Sequence, residues 1–329
     1  MPLVADVWKQ IVIATQPDTH VGRNGSVLSV SSLKQLGHEL RLPVHIIPKT
    51  KFGFKNWQVP APFNIPKDGE SHPLDYFLIT ASFGRILPHT MLKPFDPTRR
   101  LNVHPSLLPA YRGPAPIQHA IMNGDKKTGV CVIEMLKSSQ GIDAGDIWAS
   151  ESMDIPEDAN FSQMRDALAV AGGRLLVSVL KDAMQNKAVA TPQASADNAP
   201  PAPLISSKDA FADFHNMTAE EIYWRFRAIS HQKEIFTLTP DDKILKLRQI
   251  VVPNAGQLAD TQLSSTPGHA VYSKSNKMIL IRCKDQTVLG VTTVRPEGKA
   301  DREAFEFWTG LRSVKNGSAE AVFGKVPSS

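Results

Sequence analysis

The sequence predicts an α/β protein in two domains, a parallel sheet wrapped by helices followed by a small β-barrel. Short β-rich runs alternate with helical stretches through the first half of the chain. A segment rich in Pro, Ala and Ser interrupts this pattern at residues 192–207, and a series of short strands follows it. The alternation is typical of a parallel sheet with crossover helices, whereas regularly spaced short strands are typical of small barrels.

The composition is that of an ordinary globular protein. The chain has 329 residues, 42 % of them hydrophobic and 21 % charged, which fits two domains and excludes a disordered, collagenous or coiled-coil protein. No run of about 18 apolar residues is present, so we expect no membrane partner. Two cysteines, Cys131 and Cys283, give neither a disulfide framework nor a CxxC motif. The net charge of +5 is compatible with a polyanionic partner but does not identify one.

Hydrophobic runs bounded by Pro, Gly or Asp predict the strands of the first half, and apolar residues at helical spacing predict its helices. The predicted strands are Ile11–Ala14, Val44–Ile47, Tyr76–Thr80, Arg100–Val103 and Val130–Glu134. The predicted helices are Ser31–Glu39, Pro116–Asn123 and a long helix that begins near Asp158 or Asn160 and buries a stripe from Met164 to Met184.

The second half begins with a helix and continues with strands. Thr218 and Glu221 form a TxxE capping box, which predicts a helix that buries Ile222, Phe226 and Ile229. The predicted strands are Ile235–Leu238, Ile244–Val252, His269–Tyr272, Met278–Arg282 and Thr287–Val294. Small polar residues from about Asn316 onward predict a frayed end.

Residues whose side chains can take part in catalysis or binding are concentrated after the start of the fourth predicted strand, in LNVHPSLLPAYRGPAPIQHAIMNGD. The strand period of two places Asn102 and His104 on the same side, at the carboxyl end, where ligands collect in open parallel sheets. Two prolines, Pro105 and Pro109, predict a rigid turn around Ser106, Leu107 and Leu108. The two leucines fit no helical or strand period, so a planar ligand can lie against them.

A second polar cluster, QGIDAGD, follows the next strand at residues 140–146. Flanking glycines allow Asp143 to approach a neighbouring loop closely. Asn102, His104 and Asp143 together suit acyl transfer to an amine, because an amide can stabilise an oxyanion, His can move protons and Asp can orient the His. Taken singly, each residue is only a weak indication of catalysis, since a histidine after a strand is more often structural and an Asp between glycines is usually a turn residue.

Taken together, these segments resemble a known family. NVHPSLLPAYRGPAPIQHAIMNGDKKTGVCVIEM followed by GIDAGDI resembles the signature of the folate-dependent formyltransferases. TQPDTHVGRNG at residues 15–25 and SFGRILP at residues 82–88 resemble the branch that formylates methionyl-tRNA. The resemblance runs from Ile11 to Trp148 and, more loosely, to Arg312. It implies a Rossmann-like formyltransferase domain followed by an OB-like barrel.

The resemblance also implies an activity and its residues. Asn102, His104 and Asp143 match the catalytic Asn, His and Asp that transfer the formyl group of 10-formyltetrahydrofolate to the α-amino group of initiator methionyl-tRNA, without a metal. The positions that resemble the folate pocket, together with the turn described above, are Phe83, Gly84, Arg85, Ile86, Leu87, Ser106, Leu107, Leu108, Gln140 and Gly141. For Phe83, plain core packing is an equal alternative.

Two residues match tRNA-binding positions of the family. Arg23 matches the arginine of the tRNA-inserting loop, and a guanidinium can pair with phosphate or with base edges. Lys208 matches a linker lysine that faces the tRNA, although a solvated lysine is the default interpretation. Asn24 and Gly25 stand where the family often has lysines, so the grip on the acceptor stem is weaker or supplied elsewhere. We expect Arg112 to anchor a loop rather than to contact substrate.

The beginning of the sequence departs most from the family, whose members place a strand, a glycine-containing loop and a helix ahead of the TQPD strand. Ten residues, MPLVADVWKQ, stand there in this sequence. We therefore expect either a truncated sequence, in which case a mitochondrial transit peptide is lost with it, or another segment that substitutes. KFGFKNWQVPAPF at residues 51–63 resembles a eukaryotic insertion and favours the mitochondrial matrix.

The resemblance predicts a catalytic domain at residues 1–190, a linker at 191–207, a tRNA-binding domain at 208–315 and a disordered tail at 316–329, in a monomer. Two alternatives remain open. One is a folate-dependent formyltransferase or hydrolase that acts on a small molecule, against which the TQPD segment and the second domain argue. The other is an inactive tRNA-binding remnant. The GxGxxG fingerprint is missing, so no dinucleotide is implied.

Overall fold

The computed structural model describes residues 7–21, 26–64, 73–259, 261–311, 314, 316–317 and 320–324. The chain divides into two compact units. The first comprises Met1–Pro114, Gly129–Ser152 and Leu168–Pro201, and the second comprises Ala115–Thr128, Met153–Ala167 and Ala202–Ser329. Each unit therefore combines separate stretches of the chain, so no single boundary in the sequence divides the two. Residues 191–201 of the predicted linker belong to the first unit.

Eight strands and five helices are described up to residue 184. The strands are β1 (Ile13–Thr15), β2 (Thr19–Val21), β3 (Val27–Ser29), β4 (Val44–Ile46), β5 (Leu78–Ala81), β6 (Arg100–His104), β7 (Lys127–Glu134) and β8 (Ile147–Asp154). The helices are α1 (Ser32–Glu39), α2 (Lys51–Asn56), α3 (His89–Leu92), α4 (Pro116–Met122) and α5 (Phe161–Met184). All eight elements predicted here from the sequence are confirmed, to within a few residues at their ends.

The strands form several sheets. β1 pairs with β4 in parallel, β2 with β3 in antiparallel fashion, and a four-stranded sheet has the order β5-β6-β7-β8. β5 and β6 are parallel, as predicted, whereas β6 and β7 are antiparallel. The chain re-enters the sheet beside the end at which β6 leaves it, so that His104 pairs with Cys131. The prediction of a wholly parallel sheet is therefore corrected for this pair.

The core of the first unit lies against β6 and β7. Leu101 and Val132 are fully buried and cluster with Val179 from α5. On the other face of the same strands, Cys131 and Ile133 pack with Leu108. Asn160 caps the start of α5, since its side chain accepts a hydrogen bond from the Gln163 amide at 3.1 Å. The two strands that lead to the polar loops are thus held by apolar packing.

In the second unit, a capped helix precedes an antiparallel sheet. Beyond residue 201 its helices are α6 (Ala219–Ile229), α7 (Ala255–Leu258) and α8 (Ala304–Thr309), and its strands are β9 (Phe236–Leu238), β10 (Ile244–Val251), β11 (His269–Ser273), β12 (Met278–Arg282), β13 (Val288–Pro296), β14 (Arg302–Glu303) and β15 (Ala321–Val322). The predicted capping box is confirmed, because Thr218 and Glu221 exchange both hydrogen bonds. In the described chain the sheet has the order β15-β11-β12-β13-β10-β9, with β14 beside β13.

The end of the described chain is ordered by this sheet. β15 pairs with β11, and Phe323 is fully buried. The predicted disordered tail from residue 316 is therefore wrong for residues 321–324, because a short apolar segment gains a strand edge and a core position there. No helix within the described ranges, including the 24-residue α5, is long and apolar enough to cross a membrane.

Candidate active site

The carboxyl end of β6 carries two of the three predicted catalytic side chains. β6 lies between β5 and β7, with Asn102 opposite Thr80 on one side and Ile133 on the other. Leu101 points into the core and is fully buried. Because side chains alternate along a strand, Asn102 and His104 lie on the same side, as the spacing predicts.

Asp143 reaches these residues from the loop between β7 and β8. Its Oδ2 lies 3.6 Å from His104 Nδ1, and its Oδ1 lies 3.5 Å from Asn102 Nδ2. The Gly113 amide donates a hydrogen bond to Oδ2 at 3.0 Å. The fold therefore assembles the Asn, His and Asp that the sequence singles out into one cluster, although they are up to 41 residues apart.

Local backbone geometry explains how the Asp143 loop reaches the cluster. Asp143 has a φ of +52°, a left-handed conformation that a non-glycine residue keeps only when its surroundings hold it there. Gly145 lies directly on β7, where a Cβ atom would come within 2.1 Å of the Glu134 carbonyl oxygen. The glycine is thus required for the loop to pack against the strand.

His104 is held at both ring nitrogens. The side chain is 5 % exposed, and Nε2 lies 3.0 Å from the Tyr111 carbonyl oxygen. A carbonyl oxygen can only accept, so Nε2 carries a proton and a second proton on the ring must reside on Nδ1, beside Asp143. The arrangement suits a histidine that becomes positively charged while a carboxylate stabilises it.

The orientation of the Asn102 amide is fixed from β5. Thr80 Oγ1 donates a hydrogen bond to Asn102 Oδ1 at 2.8 Å. With its oxygen occupied, the amide presents its NH2 group on the side of Asp143. An amide donor held in this way can bind an oxygen that gains negative charge during a reaction.

Four of the five predicted folate positions after β5 fall into two groups. Phe83 and Leu87 pack against the core cluster of Ile47, Phe54 and Met91, and the Phe83 and Phe54 rings are stacked with centroids 6.2 Å apart. Gly84 has open space around it, and Ile86 is 62 % exposed. The alternative that Phe83 is a packing residue thus agrees with its contacts.

Arg85 is occupied by structural contacts. Its Nη1 donates to the Pro48 carbonyl at 3.0 Å and to Gln16 Oε1 at 3.3 Å. The guanidinium also lies 3.5 Å from the centre of the Phe54 ring. Arg85 therefore ties the loop after β5 to the ends of β1 and β4.

The turn after β6 also serves the fold. Ser106 is fully buried and donates to the Ala110 carbonyl at 2.7 Å. Leu108 belongs to the core, and Leu107 lies so close to Gly129 that a Cβ there would meet its side chain at 2.5 Å. The leucines that fit no strand or helix period thus fill space beneath the turn.

The remaining predicted positions lie in loops. Gln140 is exposed and accepts a hydrogen bond from the Lys137 amide at 3.2 Å, and Gly141 has a φ of +111°. Lys208 is exposed at the start of a short turn of 3-10 helix. Arg23 lies outside the described residues. Within the described chain no group of three or more His, Cys, Asp or Glu side chains is arranged to hold a metal ion.

Sequence reasoning missed four contributors to the cluster. Thr80 orients Asn102, the Tyr111 carbonyl holds His104, and the Gly113 amide holds Asp143. Gln193 contacts the backbone of the Asp143 loop. Two of these contributions come from main-chain groups, which carry no side-chain signal in the sequence.

Two family models match the chain. "Formyl transferase" matches residues 8–180, and "Formyl transferase, C-terminal domain" matches residues 204–312. Methionyl-tRNA formyltransferase of Streptococcus mutans is 32 % identical over 317 residues, which are 96 % of this chain and 91 % of that protein. The mitochondrial methionyl-tRNA formyltransferase of Mus musculus is 34 % identical over 219 residues, 66 % of this chain and 55 % of the mouse protein.

Solved structures show the same fold at low identity. HypX from Aquifex aeolicus, crystallised in complex with tetrahydrofolic acid, has a TM-score of 0.58 and 16 % identity. The match covers 94 % of this chain, which spans about half of HypX (48 %). WlaRD, a sugar 3N-formyl transferase, has a TM-score of 0.53 and 15 % identity over 82 % of each chain.

Proposed function

The chain belongs to the methionyl-tRNA formyltransferase family, and from this premise we propose that it transfers the formyl group of 10-formyltetrahydrofolate to the α-amino group of methionine on initiator tRNA. The observation that carries the proposal is the cluster of Asn102, His104 and Asp143 at the end of β6. It brings an amide donor and a histidine within 3.5 and 3.6 Å of one carboxylate, in a chain that matches the family over nearly its full length.

The proposed reaction forms one C–N bond and breaks another. The α-amino nitrogen of the methionyl group attacks the formyl carbon, whose oxygen becomes anionic in the tetrahedral intermediate. The bond from that carbon to N10 of the folate then breaks. One proton leaves the attacking nitrogen and one is delivered to N10, so the folate product is tetrahydrofolate.

The residues of the cluster divide these tasks. The NH2 group of Asn102, whose oxygen is occupied by Thr80, donates to the anionic oxygen. His104 carries its transferable proton on Nδ1, because Nε2 is engaged by the Tyr111 carbonyl. Asp143 stabilises the charged imidazole and accepts the one proton that leaves the attacking nitrogen, while His104 delivers one proton to N10. These groups need no metal.

We propose that the folate lies against the loop after β5 and the Asp143 loop. Gly84 and Ile86, which face open space, and Gln140 and Gly141 would contact it directly. The other predicted folate positions, which pack inward, would support this surface. These positions are Phe83, Arg85, Leu87, Ser106, Leu107 and Leu108.

The macromolecular substrate and its site follow from the same premise. We propose that Arg23 and Lys208 contact the initiator tRNA, that the enzyme is a monomer and that it acts in the mitochondrial matrix. The mitochondrial relatives support this location, and lysine at 208 is exposed, as a phosphate contact requires. Confocal imaging of the tagged full-length protein tests the location, and a cytosolic signal would contradict it.

The experiment that tests the activity uses the purified chain with 10-formyltetrahydrofolate and charged initiator methionyl-tRNA. We expect formyl-methionyl-tRNA to form, and His104→Ala to lower kcat by about 100-fold or more, the size typical of a lost acid–base group. His38→Ala is the matched control, because His38 is an exposed residue of α1.

Two outcomes would contradict the proposal. Formylation that survives in a folded His104→Ala variant would remove the histidine from the chemistry. A wild-type chain that formylates a nucleotide-linked amino sugar, but not methionyl-tRNA, would replace the proposed acceptor with a small molecule. Circular dichroism of each variant separates loss of catalysis from loss of fold.

A further inference from the structure

The segment that the sequence predicts to be a connector lies against the catalytic cluster. Thr191 and Ile147 exchange two backbone hydrogen bonds of 2.8 and 2.9 Å. Further along, the Pro200 carbonyl accepts a hydrogen bond from the Tyr111 amide at 2.6 Å. Between these anchors the segment passes the Asp143 loop, and one of its side chains points into that loop.

That side chain is Gln193, and its amide uses both its donor and its acceptor atom. Nε2 donates to the carbonyl oxygens of Asp143 at 2.8 Å and Gly145 at 2.7 Å. Oε1 accepts from Arg112, from Nε at 3.1 Å and from Nη2 at 2.5 Å. The identity of each amide atom is therefore fixed by its partners, since carbonyls only accept and guanidinium only donates.

Arg112 connects this amide to the other half of the cluster. It stands between Tyr111, whose carbonyl holds His104, and Gly113, whose amide holds the Asp143 carboxylate. Gln193 therefore ties the two loops on which the His104 and Asp143 positions depend. The contacts span 81 residues in sequence on one side and 50 on the other.

The Asp143 loop needs such a tie. Asp143 and Gly141 both have positive φ, and a non-glycine residue in that region costs about 1–3 kcal/mol unless its surroundings impose it. Two hydrogen bonds to carbonyls of one loop, each worth about 0.5–1.5 kcal/mol, are of the size needed to hold it.

We propose that Gln193 is a positioning residue for catalysis, which holds Asp143 against His104 by clamping the backbone of the Asp143 loop to Arg112. The proposal rests on the proposed function for its kinetic consequence only. Without the clamp, the carboxylate loses its fixed distance to His104 and Asn102. A misplacement of about 1 Å in a reacting group can lower a rate by about 100-fold, so we expect a reduction in kcat of about 10- to 100-fold.

The test compares Gln193→Ala and Gln193→Glu with a control in the same segment. Glu keeps an acceptor for Arg112 but replaces the donor with an oxygen that faces two carbonyls, so it cannot clamp the loop. Both variants should lower kcat while the KM for methionyl-tRNA changes by less than about threefold. Ser195→Ala, which removes an exposed contact to Asp197, should behave as wild type.

The kinetic pattern separates positioning from a role in the linker. If Gln193 only anchors the connector through Arg112, Gln193→Glu will retain full kcat and overturn the proposal. A KM effect with unchanged kcat would overturn it as well. A parallel melting experiment by circular dichroism checks that any loss of kcat exceeds the effect of partial unfolding.

A second readout does not depend on the reaction. The Gly113 amide hydrogen is bonded to the Asp143 carboxylate, so its exchange with deuterium reports whether Asp143 stays in place. Exchange at Gly113 should accelerate in both Gln193 variants and stay unchanged in Ser195→Ala. Unchanged exchange in the Gln193 variants would refute the clamp even if the acceptor differs from methionyl-tRNA.

Discussion

Two parts of the first unit contain similar apolar residues but bury them to different extents. In β6 and β7, Leu101 and Val132 are fully buried. In the leading segment, residues 32–56 with α1, β4 and α2, Leu36 is 47 % exposed and Phe52 is 81 % exposed, although Ile47 and Phe54 of the same segment are buried. The candidate catalytic cluster lies at the end of β6, one of these two strands. We therefore expect the site to depend on the packing beneath β6, and the exposed positions of the leading segment to tolerate change.

The largest effect is expected from a substitution in the buried strands β6 and β7. Leu101→Ala removes a fully buried side chain from the cluster with Val132 and Val179, and such truncations lower the free energy of unfolding by about 2–5 kcal/mol. Urea unfolding followed by circular dichroism measures it. A loss below about 1 kcal/mol would mean that β6 is not the rigid support that the comparison assigns to it.

A smaller effect is expected from a substitution in β5, at its contact with β6. Thr80→Val keeps the shape of the side chain but removes the donor to Asn102 Oδ1. The amide is then free to rotate, and the loss of one hydrogen bond, about 0.5–1.5 kcal/mol, predicts a kcat that is lower by a factor of about 2 to 13.

The control for this prediction is Thr90→Val, which removes an exposed hydroxyl bonded to the Lys55 carbonyl. Steady-state formylation assays compare the two variants. Equal kcat values would show that Thr80 does not orient Asn102.

The pH dependence of stability offers a third test of the packing of β6 and β7. Burial raises the pKa of Glu134, on β7, above its usual value of 4.5, while the Trp148 hydrogen bond opposes the shift. The folded state therefore holds the proton more tightly than the unfolded state, and stability falls as pH rises from about the usual value through the raised one.

The variant Glu134→Gln has a side-chain amide that cannot titrate, so it should lose none of this stability and retain the Trp148 contact. We expect the free energy of unfolding of the variant to rise relative to that of wild type as pH increases from 4.5 to neutrality. Urea unfolding at several pH values measures the difference, and a constant difference across the range would disprove the shift.

The smallest effect is expected in the leading segment. Leu36→Ala makes the same chemical change as Leu101→Ala on an exposed face of α1, so it should change the free energy of unfolding by no more than about 0.5 kcal/mol. The same urea experiment applies. A loss comparable to that at Leu101 would erase the contrast between the two regions.

Local patterns predict most of the elements and single out the residues of the candidate cluster. Asn102 and His104 follow from strand alternation, and the Thr218 box follows from capping chemistry. β8 escapes prediction because its residues are mostly half-buried or exposed, which weakens the hydrophobic signal. β15 has only two residues and exists through its pairing with β11.

The rest of the site depends on contacts that are distant in sequence. Gln193 lies in a segment whose Pro, Ala and Ser content predicts a connector, and its partners are 50 and 81 residues away. Tyr111 and Gly113 contribute main-chain groups, which any residue type supplies. Met184 is the last of the apolar residues at helical spacing in α5 but is 57 % exposed. The apolar pattern in the sequence extends beyond the part of the helix that packs against the core.

The anchored segment from Thr191 to Pro200 also limits how the two halves of this protein can be exchanged with those of relatives. A chimaera joined at the start of the Pro-rich stretch would import a foreign residue at position 193 and separate the Asp143 loop from its clamp. A junction placed after Pro201 keeps the hydrogen bonds of the segment to Ile147, Tyr111, Arg112 and the Asp143 loop within one parent. For recombination we therefore expect a junction after Pro201 to serve better than one at residue 190, where the sequence predicts the catalytic domain to end.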